Sequence, residues 1–212
     1  MAADVRASSP PMQAPLRGHL GGAVIPRAAA ILASGGVAVL PTDTLYGFHC
    51  VASNGEAVER IRALKGRGTG EGFILLVSDI GMAGSVVARW PGASKALLES
   101  IWPAPLTAIL PGRRLLDQAL APRGSVAVRV PALSELRTLI RRLGEPVVST
   151  SVNLSGGLPL ATISEVRRQF PGLEAYVSQR GRRSGAPSTI VDFTSRNPRL
   201  IRAGVYPWPS RA

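Results

Sequence analysis

The chain has 212 residues, 45% of them hydrophobic and 18% charged, enough to bury a core in one domain. Its 25 basic residues outweigh 13 acidic ones, a formal charge of +12 that points to anionic partners, nucleotide or nucleic acid. No apolar run approaches a membrane span of about 20 residues, and a single cysteine, Cys50, excludes an intramolecular disulfide framework and suits a reducing, cytoplasmic compartment.

Residues 1–20 hold three prolines and no continuous apolar segment, so they are expected to form a disordered leader ahead of one domain over 21–205 and a short tail over 206–212. A helix is predicted from Arg27 to Ser34, stopped by Gly35 and Gly36. The apolar run 37–40 is the first strand. Ser53 and Glu56 have capping-box spacing and open a helix that runs to Leu64 and ends at Gly66. Strands follow at 73–77, 106–110, 126–130, 146–150, 188–193 and 199–204. Helices are expected at 94–101, at 133–143 with Gly144 as its stop, and at 163–170 behind a second capping box, Thr162 and Glu165. Segments 66–72 and 178–187 are glycine-rich and basic and are expected to be mobile. Strands and helices alternate, and several strands are apolar throughout. The expected class is therefore α/β, a twisted and mostly mixed sheet flanked by helices around a basic concave cleft.

The polar residues gather at the ends of these elements, where open α/β sheets place ligands. PTDTLYGF puts hydroxyls and Asp43 directly after a buried strand; Asp43 is assigned to local backbone capping. Lys65 and Arg67 follow a helix, where they suit either its C-terminus or an anion. Only Lys65 and Lys95 are lysines; the other cations are arginines, suited to bidentate recognition of phosphate and carboxylate. Arg129 lies in an otherwise apolar strand, and burying it requires a carboxylate from the protein or from a ligand. STSVNLSGG (149–157) combines hydroxyls, an amide and glycines, as an anion-binding nest does. No G-x-x-x-x-G-K-[ST], no Ser-His-Asp set and no zinc-ligand spacing occurs, so a P-loop, covalent acyl chemistry and a zinc site find no support. His49 reads as a hydrogen-bonded structural residue.

Seven motifs in order, PTDTLYGF, KGR, Trp102-Pro103-Ala104-Pro105-Leu106-Thr107, VAVRVP, STSVNLSGG, STIVDF and LIRAG, resemble the YrdC-type threonylcarbamoyl-AMP synthases over residues 22–204. The resemblance is to the short bacterial form without an extra C-terminal domain. It implies formation of L-threonylcarbamoyl-AMP and pyrophosphate from L-threonine, bicarbonate and ATP, with Mg²⁺ carried mainly on the ATP phosphates. It also implies tRNA and tRNA-modification proteins as partners. Lys65, Arg67, Ser151 and Asn153 match the residues on which activity depends. Of these, Lys65, Arg67 and Asn153 would meet ATP together with Arg202. Thr44, Arg129, Ser151 and Ser188 match positions that hold L-threonine. Ala104, Val152, Gly68 and the pair Phe48-His49 depart from the usual residues, and they are expected to enlarge side chains near the pocket. The competing reading is a non-catalytic protein of the same fold that binds double-stranded RNA or tRNA through its charge.

Overall fold

The computed structural model describes residues 24–66, 68, 72–175 and 186–209. Six α-helices, α1 (Val24–Ala33), α2 (Gly55–Lys65), α3 (Ile80–Ala83), α4 (Ser94–Ile101), α5 (Ser134–Leu143) and α6 (Ile163–Gln169), and a short 3-10 turn at Pro122–Gly124 accompany nine strands among these residues. The strands are β1 (Ala38–Pro41), β2 (Tyr46–Val51), β3 (Ile74–Leu76), β4 (Leu106–Pro111), β5 (Ser125–Arg129), β6 (Val147–Ser151), β7 (Glu174–Ala175), β8 (Thr189–Asp192) and β9 (Arg199–Arg202). They form one mixed sheet in the order β7-β1-β2-β6-β3-β5-β4-β8-β9. The β1/β7, β3/β5 and β4/β8 pairs are parallel and the other five antiparallel.

Alternation along the strands divides the core into two clusters. Val39, Leu75 and Val148 belong to the larger one, with α2, α4 and α6 packed over it through residues such as Ile61, Leu98 and Val166. Their chain neighbours Leu40, Leu76 and Val147 belong to the other, which is closed by Ala28 and Leu32 of α1 and Leu136 and Ile140 of α5. The second cluster covers only part of its face. Along β2 that face runs Val51, His49, Gly47; along β6 it runs Val147, Ser149, Ser151. Apolar residues thus lie beneath the helices and polar ones beyond them, and β2 and β6 are aligned with Gly47 opposite Ser151 and His49 opposite Ser149. This uncovered stretch becomes the floor of a cavity.

Local chemistry sets the element ends. Gly66 and Gly144 take left-handed φ values of 58° and 77° at the ends of α2 and α5, which a side chain would resist. Thr162 and Glu165 form the expected reciprocal capping box. The cap of α2, however, is Asn54 rather than Ser53: Asn54 Oδ1 accepts the Ala57 N–H at 2.9 Å, one residue later than the expected box. α1 starts at Val24, three residues before the expected Arg27, because Pro26 is tolerated in a first turn. Strands β2 and β7 and the short helix α3 were not expected. Segments 66–72 and 178–187 lie largely outside the described residues. No helix among the described residues is long and apolar enough to cross a membrane.

Candidate active site

The cavity, about 490 Å³, opens over the polar ends of β2, β6, β3 and β5 and reaches β8 and β9. Its apolar wall includes Phe73, Ile74, Ile109 and Leu120. Lys65, Arg129 and Arg202 supply its positive charge, and no Asp or Glu is among the described residues that line it. Seven of the eight sequence-predicted site residues line this one cavity: Thr44, Lys65, Arg129, Ser151, Asn153, Ser188 and Arg202. Arg67 lies outside the described residues.

Lys65, the last residue of α2, is buried, and its Nζ donates to Ser151 O (2.7 Å), Asn153 O (3.1 Å) and Asn153 Oδ1 (3.0 Å). The Lys65 carbonyl in turn accepts the Ser155 N–H at 2.8 Å. The Asn153 amide donates to Leu154 O (2.7 Å) and Gly157 O (2.8 Å), while Ser151 Oγ donates to Asn153 Oδ1 (2.5 Å). A helix end and the loop after β6, almost ninety residues apart in sequence, are thus clasped around one ammonium.

Arg129, at the end of β5, is buried and paired with Asp43 through NH2 and Oδ1; its NH1 donates to Thr44 Oγ1 at 3.3 Å. Nε of the same guanidinium is buried without a partner. Burial pulls the Arg129 pKa down, and the Asp43 carboxylate opposes that shift. The other Asp43 oxygen accepts the Ala132 N–H at 3.1 Å. Asp43 therefore does not cap its own turn, contrary to expectation. Thr42 does that: its Oγ1 donates to Leu45 O (2.7 Å) and accepts from Thr44 N and Leu45 N, both at 3.1 Å. Asp43 is released to join the β1–β2 turn to the end of β5.

Arg202 of β9 donates from Nε and NH2 to Ser188 O at 3.2 and 2.8 Å, and NH2 approaches Ser188 Oγ at 3.3 Å. Ser188 Oγ also shares a hydrogen bond with Thr107 Oγ1 (2.9 Å). Partial burial and the neighbouring positive charge of Arg129 both lower the Arg202 pKa. Two guanidinium groups that feel each other across a cavity whose described lining lacks a carboxylate make a site for an anion.

The departures from the usual motif fall mostly elsewhere, correcting the expectation that they enlarge the pocket wall. Phe48 packs edge-on against Phe170 at 5.0 Å, Val152 and Ala104 face the core, and Gly68 offers its carbonyl to Arg62 (2.8 Å); none of the four lines the cavity. His49 lies directly under the floor. Its Nδ1 is 2.8 Å from Gly47 O and its Nε2 3.1 Å from Ser149 Oγ, and burial pushes its pKa down to about 4, with the Gly47 bond opposing and the Arg129 charge assisting. Cys50 points into the core, where burial pushes its thiol up to about 12. Sequence reasoning missed the Asp43–Arg129 pair, the Thr42 turn and the His49–Ser149 contact. The Asp43–Arg129 and His49–Ser149 contacts join segments far apart in sequence, whereas the Thr42 turn is local to residues 42–45.

A mixed sheet with one face left open over hydroxyls and guanidinium groups defines an α/β domain whose cavity is lined by the donors and acceptors that a small anionic or zwitterionic ligand would need. The family model described as "Telomere recombination", Sua5_yciO_yrdC, matches residues 30–204. Threonylcarbamoyl-AMP synthases from Nitrosococcus oceani and Thiobacillus denitrificans are 38% and 34% identical to it, over 78% and 82% of this chain and 90% and 92% of theirs. Among solved structures, E. coli YciO superposes with a TM-score of 0.76 at 28% identity, covering 86% of this chain and 89% of that one. P. abyssi Sua5 complexed with L-threonine superposes at 0.78 and 29% identity, with 85% of this chain matched to about half, 54%, of that chain. The chain belongs to the Sua5/YciO/YrdC family, and it is an enzyme, a nucleotidyl-transferring transferase of the adenylate-forming kind.

Proposed function

We propose that the cavity joins L-threonine, bicarbonate-derived carbon dioxide and ATP into L-threonylcarbamoyl-AMP, with release of pyrophosphate. The observation that carries this reading is the meeting of Thr44, Arg129, Ser151, Ser188, Lys65, Asn153 and Arg202 in one cavity whose described lining offers no carboxylate. The names of the bacterial relatives and the threonine complex of P. abyssi Sua5 supply the substrate class. In this reading Arg129, which lines the cavity, takes the amino-acid carboxylate through guanidinium N–H groups not spent on Asp43 or Thr44. Thr44, Ser151 and Ser188 hold the remaining polar groups of threonine. Arg202 and Arg67 take phosphates, and Lys65 fixes the 151–157 loop while lending it positive charge, with Asn153 holding the loop's turn against the nucleotide.

The threonine nitrogen attacks carbon dioxide and loses a proton, giving a carbamate. A carbamate oxygen then attacks the α-phosphorus, and the bond to the β-phosphate oxygen breaks, releasing pyrophosphate. The nucleophile is already anionic, so positioning and charge neutralisation suffice and no protein nucleophile is needed. No group of three or more His, Cys, Asp or Glu side chains fit to hold a metal occurs among the described residues. In this reading the Mg²⁺ ion would arrive on the nucleotide, held mainly by phosphate oxygens and water. The product would pass to the adenosine beside a tRNA anticodon through partner proteins, in the cytoplasm.

The test is pyrophosphate release from ATP and bicarbonate with L-threonine, L-serine or L-valine. The reading predicts release that requires bicarbonate and is strongest with threonine. Release indifferent to the amino acid would refute it. Steeply salt-dependent RNA binding with no threonine-dependent release would instead favour the RNA-binding alternative.

A further inference from the structure

The direction of each hydroxyl on the cavity wall follows from its partners. Thr42 gives its proton to the Leu45 carbonyl, which can only accept, so in the Thr42–Thr44 contact (3.0 Å) Thr44 is the donor. Ser151 gives its proton to Asn153 Oδ1. His49 settles Ser149 in the same way. The Gly47 carbonyl can only accept, so Nδ1 carries the imidazole proton; Nε2 of the neutral ring is then bare and must accept the Ser149 proton. Thr44, Ser149 and Ser151 all line the cavity with their protons already committed to protein acceptors. They present lone pairs to a ligand, while Arg129 and Arg202 present donors. A zwitterionic amino acid matches this division, ammonium to the hydroxyl oxygens and carboxylate to a guanidinium.

We propose that His49 is a positioning residue that works from beneath the wall: by taking the Ser149 proton it fixes the Ser149 oxygen as a hydrogen-bond acceptor for the ammonium group of the bound amino acid. The inference rests on the amino-acid substrate proposed above and deepens it. Space for the ring depends on the neighbouring glycine, since a Cβ at position 47 would lie 2.7 Å from His49 Cε1 and 3.1 Å from Ser149 Oγ. The imidazole therefore occupies the room a side chain at 47 would take, and it spends that room on one oriented hydroxyl. Without the ring's bare nitrogen, the Ser149 proton is free to turn toward the cavity, where it opposes an ammonium.

The test measures binding of L-threonine, and of its deaminated analogue 3-hydroxybutyrate, to the full chain by calorimetry, in the wild type, Ser149→Ala, His49→Phe and the double variant. Losing one hydrogen bond to a charged group weakens binding roughly tenfold or more. His49→Phe and Ser149→Ala should each raise the threonine Kd about tenfold, leave 3-hydroxybutyrate binding unchanged, and show no further loss when combined. His49→Gln, whose amide oxygen can accept the same proton, should recover much of the affinity. Ser149→Ala leaves the core intact and carries the test if His49→Phe does not fold. Nitrogen-15 NMR of the ligand-free protein should show His49, one of only two histidines in the sequence, protonated at Nδ1 and bare at Nε2. A merely structural His49 would weaken both ligands alike, and equal losses for both, or a full additional loss in the double variant, overturn the proposal. If wild-type protein fails to bind threonine, the substrate reading falls. The NMR spectrum then decides the His49 assignment separately, and a protonated Nε2 overturns it whatever the ligand.

Discussion

Asp43→Asn tests the electrostatic frame of the cavity. Side-chain exposure is 4% for Arg129 and 11% for Asp43, so the pair is a buried ion pair whose loss leaves a guanidinium without a counter-charge. Breaking such a pair from one side costs about 3–5 kcal/mol, and repulsion from Arg202 acts in the same direction. Asparagine keeps the shape of the side chain. It cannot, however, both accept from Arg129 and accept the Ala132 N–H with two oxygens as the carboxylate does. A domain of this size loses about 2–4 °C of Tm per kcal/mol, so a fall of about 6–20 °C is expected in a calorimetric melt. Millimolar L-threonine should return part of that loss, because a ligand carboxylate can stand in for the missing charge. A fall under about 3 °C would show that Asp43 does not neutralise Arg129 and would refute the reasoning.

Lys65→Met should leave buried carbonyl and amide oxygens of the 151–153 segment without their shared donor, costing about 2–4 kcal/mol; urea unfolding reads the loss, and hydrogen exchange at the Ser155 amide should rise with it. Gly204→Ala should destabilise by about 1–3 kcal/mol, because its Cβ would fall 2.3 Å from Pro187 O and 2.5 Å from Thr189 N at the start of β8. Thermal melts read that cost, and a variant as stable as the parent would contradict the register between β8 and the residues after β9. His49 has a folded pKa of about 4 against 6.5 when exposed, so the unfolded chain binds the extra proton between those values. Stability should therefore be full above about pH 6.5 and decline as the pH falls toward 4, by about 3 kcal/mol in all. His49→Phe should flatten that window in pH-dependent urea melts.

How far the fold was legible depended on local chemistry. α4 follows its apolar periodicity, and α2 and α5 stop at the glycines that the left-handed cap requires. β2 does alternate, Tyr46, Phe48 and Cys50 against Gly47 and His49, but over few residues and with two residue types that mark strands poorly: all six residues are buried, one face in the core and the other running under the cavity floor, where burial is satisfied by glycine and a hydrogen-bonded histidine. β7 is two residues long and takes its strand geometry from β1 alone. The polar identities at the site were legible because hydroxyls, an amide and guanidinium groups recur at element ends. Their partners were not. Asp43 reaches Arg129 and Ala132 across more than eighty residues, and Lys65 clasps a loop equally distant, contacts that only the β2–β6 and β3–β5 registers bring about.

The most direct measurement is a crystal structure of the full chain with L-threonine and a non-hydrolysable ATP analogue. Both molecules should occupy the one cavity, the threonine carboxylate on Arg129 and its nitrogen within reach of the α-phosphorus. Ligands bound on separate surfaces, or a cavity that takes neither, would contradict it.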